Sequence, residues 1–251
     1  MFSSTFYRVE ILRQLRNPYT LIFTLAMPLV FYIIFGANSA YGGLSAGNGN
    51  TIFIVMASMA ATGTATAMST LCSVAAAEVR QGWGRQIALT PLSIAGYSLG
   101  KLATALTFAA LAATIVFVTG AFTGADADGW WRWLVVATII ILGGIMFGLY
   151  GLGVGLSLGP DSASALTGIS ITLFSFLGNV FIPLDGVMLD IARFTPMYGY
   201  VSLARWPIME GHQLVSSSAD PLWAVLLNIV VWTVLFAALA RFGVRRSRRR
   251  G

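Results

Sequence analysis

Charged residues are scarce in this chain: they make up 10% of its 251 residues, whereas hydrophobic residues make up 57%. Because a soluble domain usually carries about a quarter charged residues, this composition is typical of a protein that crosses a membrane several times. The chain also has a single cysteine, Cys72, and a single histidine, His212. These counts exclude a disulfide framework and the known cysteine- or histidine-rich metal motifs, so we expect no metal.

Two other absences exclude or disfavour particular ways in which this chain could drive transport by itself. The phosphate-binding pattern G-x-x-x-x-G-K-[ST] is missing, because the only lysine, Lys101, follows Gly100 but precedes Leu102. None of the nine acidic residues lies in the middle of an apolar stretch, which disfavours a protein driven by an ion gradient. Any energy for transport is therefore expected to come from another subunit.

Six apolar windows are long enough to cross a bilayer, which takes about 20 residues. They lie at residues 19–35, 51–77, 97–122, 133–158, 162–184 and 221–240. The segment 185–220 is partly apolar but carries too many charges for a lipid-exposed span, and we interpret it as an external helical segment. The sequence thus predicts an all-α membrane protein with six transmembrane helices in one domain, residues 1–251.

Residues 1–17 predict an amphipathic helix that lies on the membrane surface. Ser3, Ser4 and Thr5 are candidate N-cap residues, and Tyr7, Ile11 and Leu15 recur at helical spacing. The apolar run that follows could instead be the core of a signal peptide, but the sixteen residues before it are long for a signal's basic region. We therefore expect it to be a retained span.

Basic residues are unevenly distributed between the two sides. With six spans and a cytoplasmic amino terminus, twelve of the fifteen basic residues face the cytoplasm, including those of the basic tail 241–251. This bias predicts a multi-pass membrane protein with both termini inside. The single lysine among the fifteen basic residues and the many alanines are typical of a GC-rich bacterial genome, so we expect the bacterial plasma membrane. A nucleic-acid-binding domain would spread its basic excess over a folded face, so no nucleic-acid partner is expected.

The cytoplasmic connection 78–96 between spans two and three is the most informative segment. Gly82 and Gly84 interrupt the incoming helix, and Pro91 stops any short helix that follows. The segment predicts a compact amphipathic projection. An ordinary loop, with Lys101 extending to the membrane surface, is the simpler alternative.

The pattern of this loop resembles that of the permeases of bacterial type-2 ATP-binding-cassette exporters without a fused ATPase. The matching residues are Glu78, Gly84-Arg85, Leu89-Thr90-Pro91-Leu92-Ser93, Tyr97 and Gly100-Lys101. The resemblance implies that the loop is a coupling helix, which docks into a groove of the ATPase. The coupling residues are then Glu78, Trp83, Gly84, Arg85, Gln86, Ile87, Leu89, Thr90 and Pro91.

The resemblance also implies the partners and the path. Two copies of an ATPase subunit would bind ATP and Mg²⁺. Two permease chains, identical or different, would form a dimer in the lipid bilayer. Spans two and five would line the translocation path. Hydroxyl residues repeat along span two, and polar and aromatic residues at the same spacing follow span five. The path candidates are Thr62, Thr66, Ser69, Thr172, Phe176 and Asn179. The same small and hydroxyl side chains are also the ordinary means of helix packing in membranes.

Uncharged spans favour a hydrophobic or amphipathic substrate, such as a drug-like compound or a lipid. The resemblance implies that this substrate is moved outward by alternating access. A lipid-linked glycan is the closest alternative. An ion-driven transporter or channel, and a membrane anchor that recruits a soluble protein through the loop, are alternatives of other classes.

Overall fold

The computed structural model describes residues 3–37, 43–87, 89–215 and 218–248, and the regular elements within these ranges are all helices. Among the described residues, five helices are long and apolar enough to cross a membrane, which confirms the all-α membrane class. In chain order the helices are α1 (Ser4–Leu15), α2 (Pro18–Ala37), α3 (Thr51–Glu78), α4 (Gly84–Ile87), α5 (Ile94–Phe122), α6 (Trp130–Gly155), α7 (Pro160–Leu177), α8 (Gly186–Ala192), α9 (Pro196–Met209) and α10 (Leu222–Arg248).

The amino-terminal helix begins within the predicted cap. The Ser3 hydroxyl accepts a hydrogen bond from the Phe6 N–H at 3.3 Å, which satisfies one of the donors that every helix start leaves free. Two residues beyond the end of α1, the Asn17 side chain accepts from the Tyr19 N–H at 3.1 Å and begins α2. Pro18 suits the first turn of α2, where no amide hydrogen is needed.

Helix α3 is the centre of the molecule. It packs against α5, α6, α7 and α9, and 78% of its apolar window is buried, compared with 11% of that of α10. The small residues of α3, chiefly Ala, Ser, Thr and Gly, allow these neighbours to approach closely. Helix α10 lies at the periphery, against α6 and α9.

Glycines of α6 form a close-packing ridge, the glycine ridge, against α3. A Cβ atom at Gly151 would overlap the Ser69 carbonyl oxygen, and one at Gly155 would overlap that of Ser73. Such backbone-to-backbone contact is possible only because glycine has no side chain. Gly159 does not belong to the ridge, because a Cβ there would meet nothing within 4 Å.

The fifth predicted span is shorter than expected. The sequence predicts residues 162–184, but α7 ends at Leu177, and its apolar part, Ser162–Leu177, falls below the length of the five spanning helices. The reason lies at Asn179, whose φ of 60° is left-handed and ends the helical path. The chain then turns toward Pro183, which a helix would not tolerate there.

The other boundaries differ by a few residues. Helix α3 continues beyond Glu78 as a wider π turn that Gly82 interrupts, and α10 runs without a break into the basic tail as far as Arg248. Residues 185–220, predicted to be a helical segment, contain α8 and α9. Residues 1–2 of the predicted surface helix and 249–251 of the tail lie outside the described residues.

The two ends of the molecule are named after α3. The loop end is the end at which α3 carries Glu78, and the far end is the end at which α3 begins.

Candidate functional site

The connection between α3 and α5 forms a bent projection at the loop end. Gly82 has a φ of 97°, a conformation that glycine adopts without strain, and it bends the chain into the short helix α4. Leu89, just beyond α4, is 89% exposed, and Trp83 is 46% exposed. Two large apolar side chains therefore protrude next to this bend.

The end of this projection is fixed by local hydrogen bonds. The Thr90 hydroxyl donates to the Ile87 carbonyl at 2.8 Å and accepts from the Leu92 N–H at 3.3 Å. The Ser93 hydroxyl then caps α5 by accepting from the Gly96 N–H at 3.1 Å. The sequence Thr-Pro-Leu-Ser thus ends one helix and begins the next, so that the projection has a defined shape.

The predicted coupling residues divide into two groups. Trp83, Gln86, Leu89, Thr90 and Pro91 are exposed, as residues that dock a partner must be. Ile87 is buried beneath them, and Glu78 is buried at the base of the loop. Gly84 and Arg85 lie in α4, but their side chains are outside the described structure.

A cluster of charged side chains joins the base of the loop to α1. We name it the polar cluster; its members are Glu10, Arg13, Glu78, Tyr97 and Lys101. The Lys101 Nζ atom lies 2.9 Å from Glu10 and 2.7 Å from Glu78, and the Arg13 guanidinium lies 2.9 Å and 2.8 Å from the same two carboxylates. The Tyr97 hydroxyl donates to Glu78 at 2.7 Å.

The polar cluster balances two acids with two bases in a mostly buried place. Glu10, Glu78 and Lys101 are each less than a tenth exposed, and burial of a charge requires a partner of opposite sign. Lys101 therefore does not extend to the membrane surface, and the ordinary-loop alternative is wrong on this point. The sequence pointed to Lys101 because it is the single lysine of the chain and follows the loop. The sequence analysis missed Glu10 as its partner and Arg13 as the second base of the cluster.

Arg13 is the most exposed base of the cluster. Partial burial alone would lower its pKa, but the negative charges of Glu10 and Glu78 outweigh this effect and raise the pKa of Arg13 above its ordinary value. The amide of Gln14 also donates to Glu10 at 3.0 Å. Glu10 and Gln14 of α1 thus face the protein, whereas Val9 and Leu12 are exposed together with Arg8 and Arg16. A helix whose apolar face meets lipid stays a prediction.

Aromatic packing completes the contact between α1 and α5. The rings of Phe6 and Tyr97 lie 5.4 Å apart, and a Cβ atom at Gly100 would meet the Phe6 ring. Glycine at position 100 therefore lets α1 lie directly on α5. The motif residues Tyr97, Gly100 and Lys101 all serve the same contact.

The predicted path residues of span two form a continuous line along α3. Thr62 donates to the Ser58 carbonyl at 3.0 Å, and Thr66 donates to the Thr62 carbonyl at 2.9 Å. Thr66 is partly exposed, whereas Thr62 is nearly buried and Ser69 is fully buried against the glycine ridge. Within one chain, Thr66 is therefore the most accessible of the three.

The path residues of span five do not share one helical face. Thr172 and Phe176 are exposed on α7, but Asn179 lies after the helix end and is buried. Its side chain accepts from the Leu184 N–H at 2.8 Å and donates to Gln213 at 3.1 Å. The helical spacing expected to continue from Phe176 to Asn179 is therefore broken by the left-handed turn, and the assignment of these residues to the path stays a prediction.

Charged residues at the far end also pair with one another. Arg193 contacts Asp220 at 2.8 Å and Asp190 at 2.7 Å, and Tyr198 donates to Asp220. Arg205 forms a hydrogen bond to a neutral group instead: its guanidinium donates to the Ser58 hydroxyl at 2.8 Å. Ser58 lies one helical turn before Thr62 on α3. The sequence analysis missed this role because the contact spans 147 positions.

The helices and the loop define a multi-pass membrane protein with a structured projection at one end. The family model of the ABC-2 type transporter matches residues 4–209, and the chain belongs to this family of transporter membrane subunits. It is also similar to a Bacillus subtilis (strain 168) protein named "Putative transport permease YvfS", with 26% identity over 248 residues, which cover 95% of this chain and 94% of that protein. The family match confirms the resemblance seen in the loop.

Proposed function

We propose that this chain is the membrane subunit of an exporter in which ATP hydrolysis by a separate subunit moves the loop 79–93 and so opens a central path alternately to each side. The observation that carries the proposal is the pair of exposed apolar side chains, Trp83 and Leu89, on a turn whose base is fixed by buried charges. Solvated loops rarely present such groups together, whereas sites for protein partners do.

The polar cluster supports a role in transmission. A push on the loop reaches Glu78 at the end of α3, and from Glu78 two basic residues lead to α1 and α5. Because the ion pairs connect three helices, the helices respond together rather than one by one. The packed ridge between α3 and α6 then carries the displacement toward the far end.

The remaining parts of the proposal follow from the family. Two ATPase copies bind ATP and Mg²⁺ on the cytoplasmic side, where both termini of this chain also lie. Two permease chains, identical or different, form the path between them in the plasma membrane, with α7 and the turn after it completing six crossings. Substrates leave the cell at the far end.

The substrate class proposed is an amphipathic organic compound or lipid. The accessible part of the α3 line offers hydroxyl groups such as that of Thr66, and the far end of α7 offers the exposed ring of Phe176. Phe176 packs on Phe181 with centroids 4.7 Å apart. Weak hydrogen-bonding groups beside aromatic surface suit a ligand with both polar and apolar parts.

Loss of the exposed leucine tests the coupling role. The variant Leu89→Asp should release the ATPase, because a charge replaces the apolar contact at the centre of the docking surface; we expect binding at least tenfold weaker, as for truncation of an interface anchor worth about 2 kcal/mol. The measurement is the amount of ATPase that copurifies with the tagged permease in mild detergent. Arg85→Ala should weaken binding in the same direction.

The matched control is Leu44→Asp, which places the same charge at an exposed leucine of the far end. This variant should retain the ATPase. Equal retention of the ATPase by Leu89→Asp and wild type, with transport intact, would refute the coupling role of the loop.

A further inference from the structure

The carboxyl-terminal helix α10 is longer than a membrane crossing requires. It runs over 27 residues, from Leu222 to Arg248, which is about 40 Å at the rise of an α-helix, whereas the hydrocarbon core of a bilayer is about 30 Å thick. Residues 222–240 carry no charge and are by themselves about long enough to cross that core. The helix therefore leaves the hydrocarbon core near Arg241, and its last two turns extend into the layer of lipid headgroups and beyond it.

Contacts with α6 place this part of α10 at the loop end. A Cβ atom at Gly243 would meet the side chain of Leu156, the residue that directly follows α6. The neighbouring Gly155 lies against the Ser73 carbonyl, close to the end of α3 at Glu78. The basic end of α10 and the loop 79–93 therefore lie on the same side of the molecule.

The charge on this part of α10 is all positive. Six of the ten residues 241–250 are arginine, and no acidic residue follows Asp220 in the sequence. Arg241 and Arg245 are exposed, and none of the ion pairs among the described residues includes either of them. Because positions 241, 245 and 248 are three and four residues apart, they share one face of the helix.

The acidic residues of the loop end cannot balance this charge. Glu10 and Glu78 are already paired with the two bases of the polar cluster. Asp161, near the start of α7, is the remaining acidic residue of this end, and it can neutralise one arginine at most. An excess of at least five positive charges therefore remains for partners outside the chain.

The position of these arginines favours lipid as the partner. Helix α10 is at the periphery, and only 11% of its apolar window is buried, so its surface faces the surrounding bilayer. Phe242 and Val244, between and beside the two exposed arginines, are 62% and 40% exposed. Apolar side chains interleaved with arginines suit the boundary between acyl chains and headgroups, where each finds its own medium.

The distances agree with this position. Arg245 lies one helical turn beyond Arg241, which is about 6 Å along the axis, and the headgroup layer is about 5–7 Å thick on each side of the bilayer. Both guanidinium groups therefore lie at the depth of the phosphates. Charges at such short range act within the screening length of physiological salt, which is about 8 Å.

We propose that Arg241 and Arg245, together with the arginines that follow them, bind the headgroups of anionic phospholipids in the leaflet at the loop end. A guanidinium binds a phosphate through two parallel hydrogen bonds. Each basic residue close to an anionic membrane surface strengthens binding about fivefold. This inference goes beyond the proposed function, because it concerns the lipid that surrounds the permease and not the compound that it moves.

The test is the binding of two lipids to the purified full-length permease, without ATPase, in a neutral detergent. Phosphatidylglycerol and phosphatidylcholine carry the same fluorescent acyl chain, and binding is measured by fluorescence anisotropy. Wild type should bind phosphatidylglycerol at least about tenfold more tightly, and this preference should shrink between about 0.05 M and about 0.5 M salt. Arg241→Gln/Arg245→Gln should weaken the binding of phosphatidylglycerol by about tenfold or more and leave that of phosphatidylcholine unchanged. Arg241→Lys/Arg245→Lys should keep most of the preference, because the charge remains.

The matched control is Arg80→Gln/Arg132→Gln, which removes the same number of charges elsewhere. Arg80 is exposed in the loop, and Arg132 donates to two carbonyl groups at the far end. This variant should bind phosphatidylglycerol like wild type. Equal affinity of wild type for the two lipids would overturn the proposal, and so would an equal loss in the control or no loss in Arg241→Gln/Arg245→Gln. Since both replaced residues are exposed, that variant should also melt like wild type.

An acidic surface of the ATPase is the alternative partner of these arginines. Under the lipid proposal, Arg241→Gln/Arg245→Gln should retain the copurifying ATPase. Loss of the ATPase from this variant, with unchanged binding of phosphatidylglycerol, would overturn the lipid proposal and assign the end of α10 to the ATPase. The Leu89→Asp experiment is a separate result, because the lipid assay contains no ATPase.

Discussion

Replacement of Lys101 by methionine should be among the most damaging single substitutions in this chain. Glu10 and Glu78 would then share one remaining base, Arg13, in a place where each carboxylate is less than a tenth exposed. Removal of one partner from a buried ion pair costs about 3 kcal/mol or more. We expect the midpoint of thermal unfolding in detergent to fall by roughly 10 °C, with loss of the contact between α1 and α5.

The double variant Glu10→Gln/Lys101→Met separates charge balance from packing. It removes one acid together with the base, so the remaining pair of Arg13 and Glu78 is neutral, and it should recover at least half of the lost stability. Arg80→Met, in the same loop but exposed, should melt like wild type. A Lys101→Met protein as stable as wild type, or a double variant no better than the single one, would show that the polar cluster does not hold the helices.

A single methyl group at Gly151 should separate the two central helices. A Cβ atom there would overlap the Ser69 carbonyl oxygen, which belongs to the backbone of α3 and cannot rotate away. Overpacking of a core usually costs 1–3 kcal/mol, and contact with backbone lies at the upper end, at about 3 kcal/mol. Gly151→Ala should therefore lower both the yield of folded protein and the unfolding midpoint.

Gly168→Ala is the matched control, since Gly168 also lies inside a helix but a Cβ atom there meets nothing within 4 Å. This variant should be neutral or more stable by about 0.5–1 kcal/mol, because alanine favours a helix over glycine. The comparison is made by thermal unfolding of the two purified variants. If Gly151→Ala and Gly168→Ala melted at the same temperature, the close approach of α3 and α6 would not limit stability.

The fold class and most helices could be predicted from sequence because apolar length and charge patterning act locally. A residue's own chemistry determines the local backbone conformation at three such positions: Ser3, Pro18 and Gly82. The end of α7 could not be predicted in this way. The apolar run continues past Leu177, and only the left-handed conformation of Asn179, held by contacts with Leu184 and Gln213, stops the helix.

The candidate site, like the fold, could be predicted from sequence only where local chemistry decides it. The exposed part of the loop, with Trp83 and Leu89, follows from its local pattern. The polar cluster does not, because Glu10, Glu78 and Lys101 are far apart in sequence and single charges give no indication of their partners. The contact of Arg205 with Ser58 could not be predicted either, because the two residues are far apart in sequence and only the tertiary structure brings them together.

Reconstitution of the permease with its copurifying ATPase in proteoliposomes tests the central claim most directly. The measurement is the movement of a fluorescent lipid across the bilayer, with and without ATP, for wild type and for Leu89→Asp. We predict movement that requires both ATP and the ATPase, occurs in one direction and is lost in Leu89→Asp. Movement of the same compound by the permease alone, without ATP, would contradict the account and indicate a channel or an ion-driven transporter.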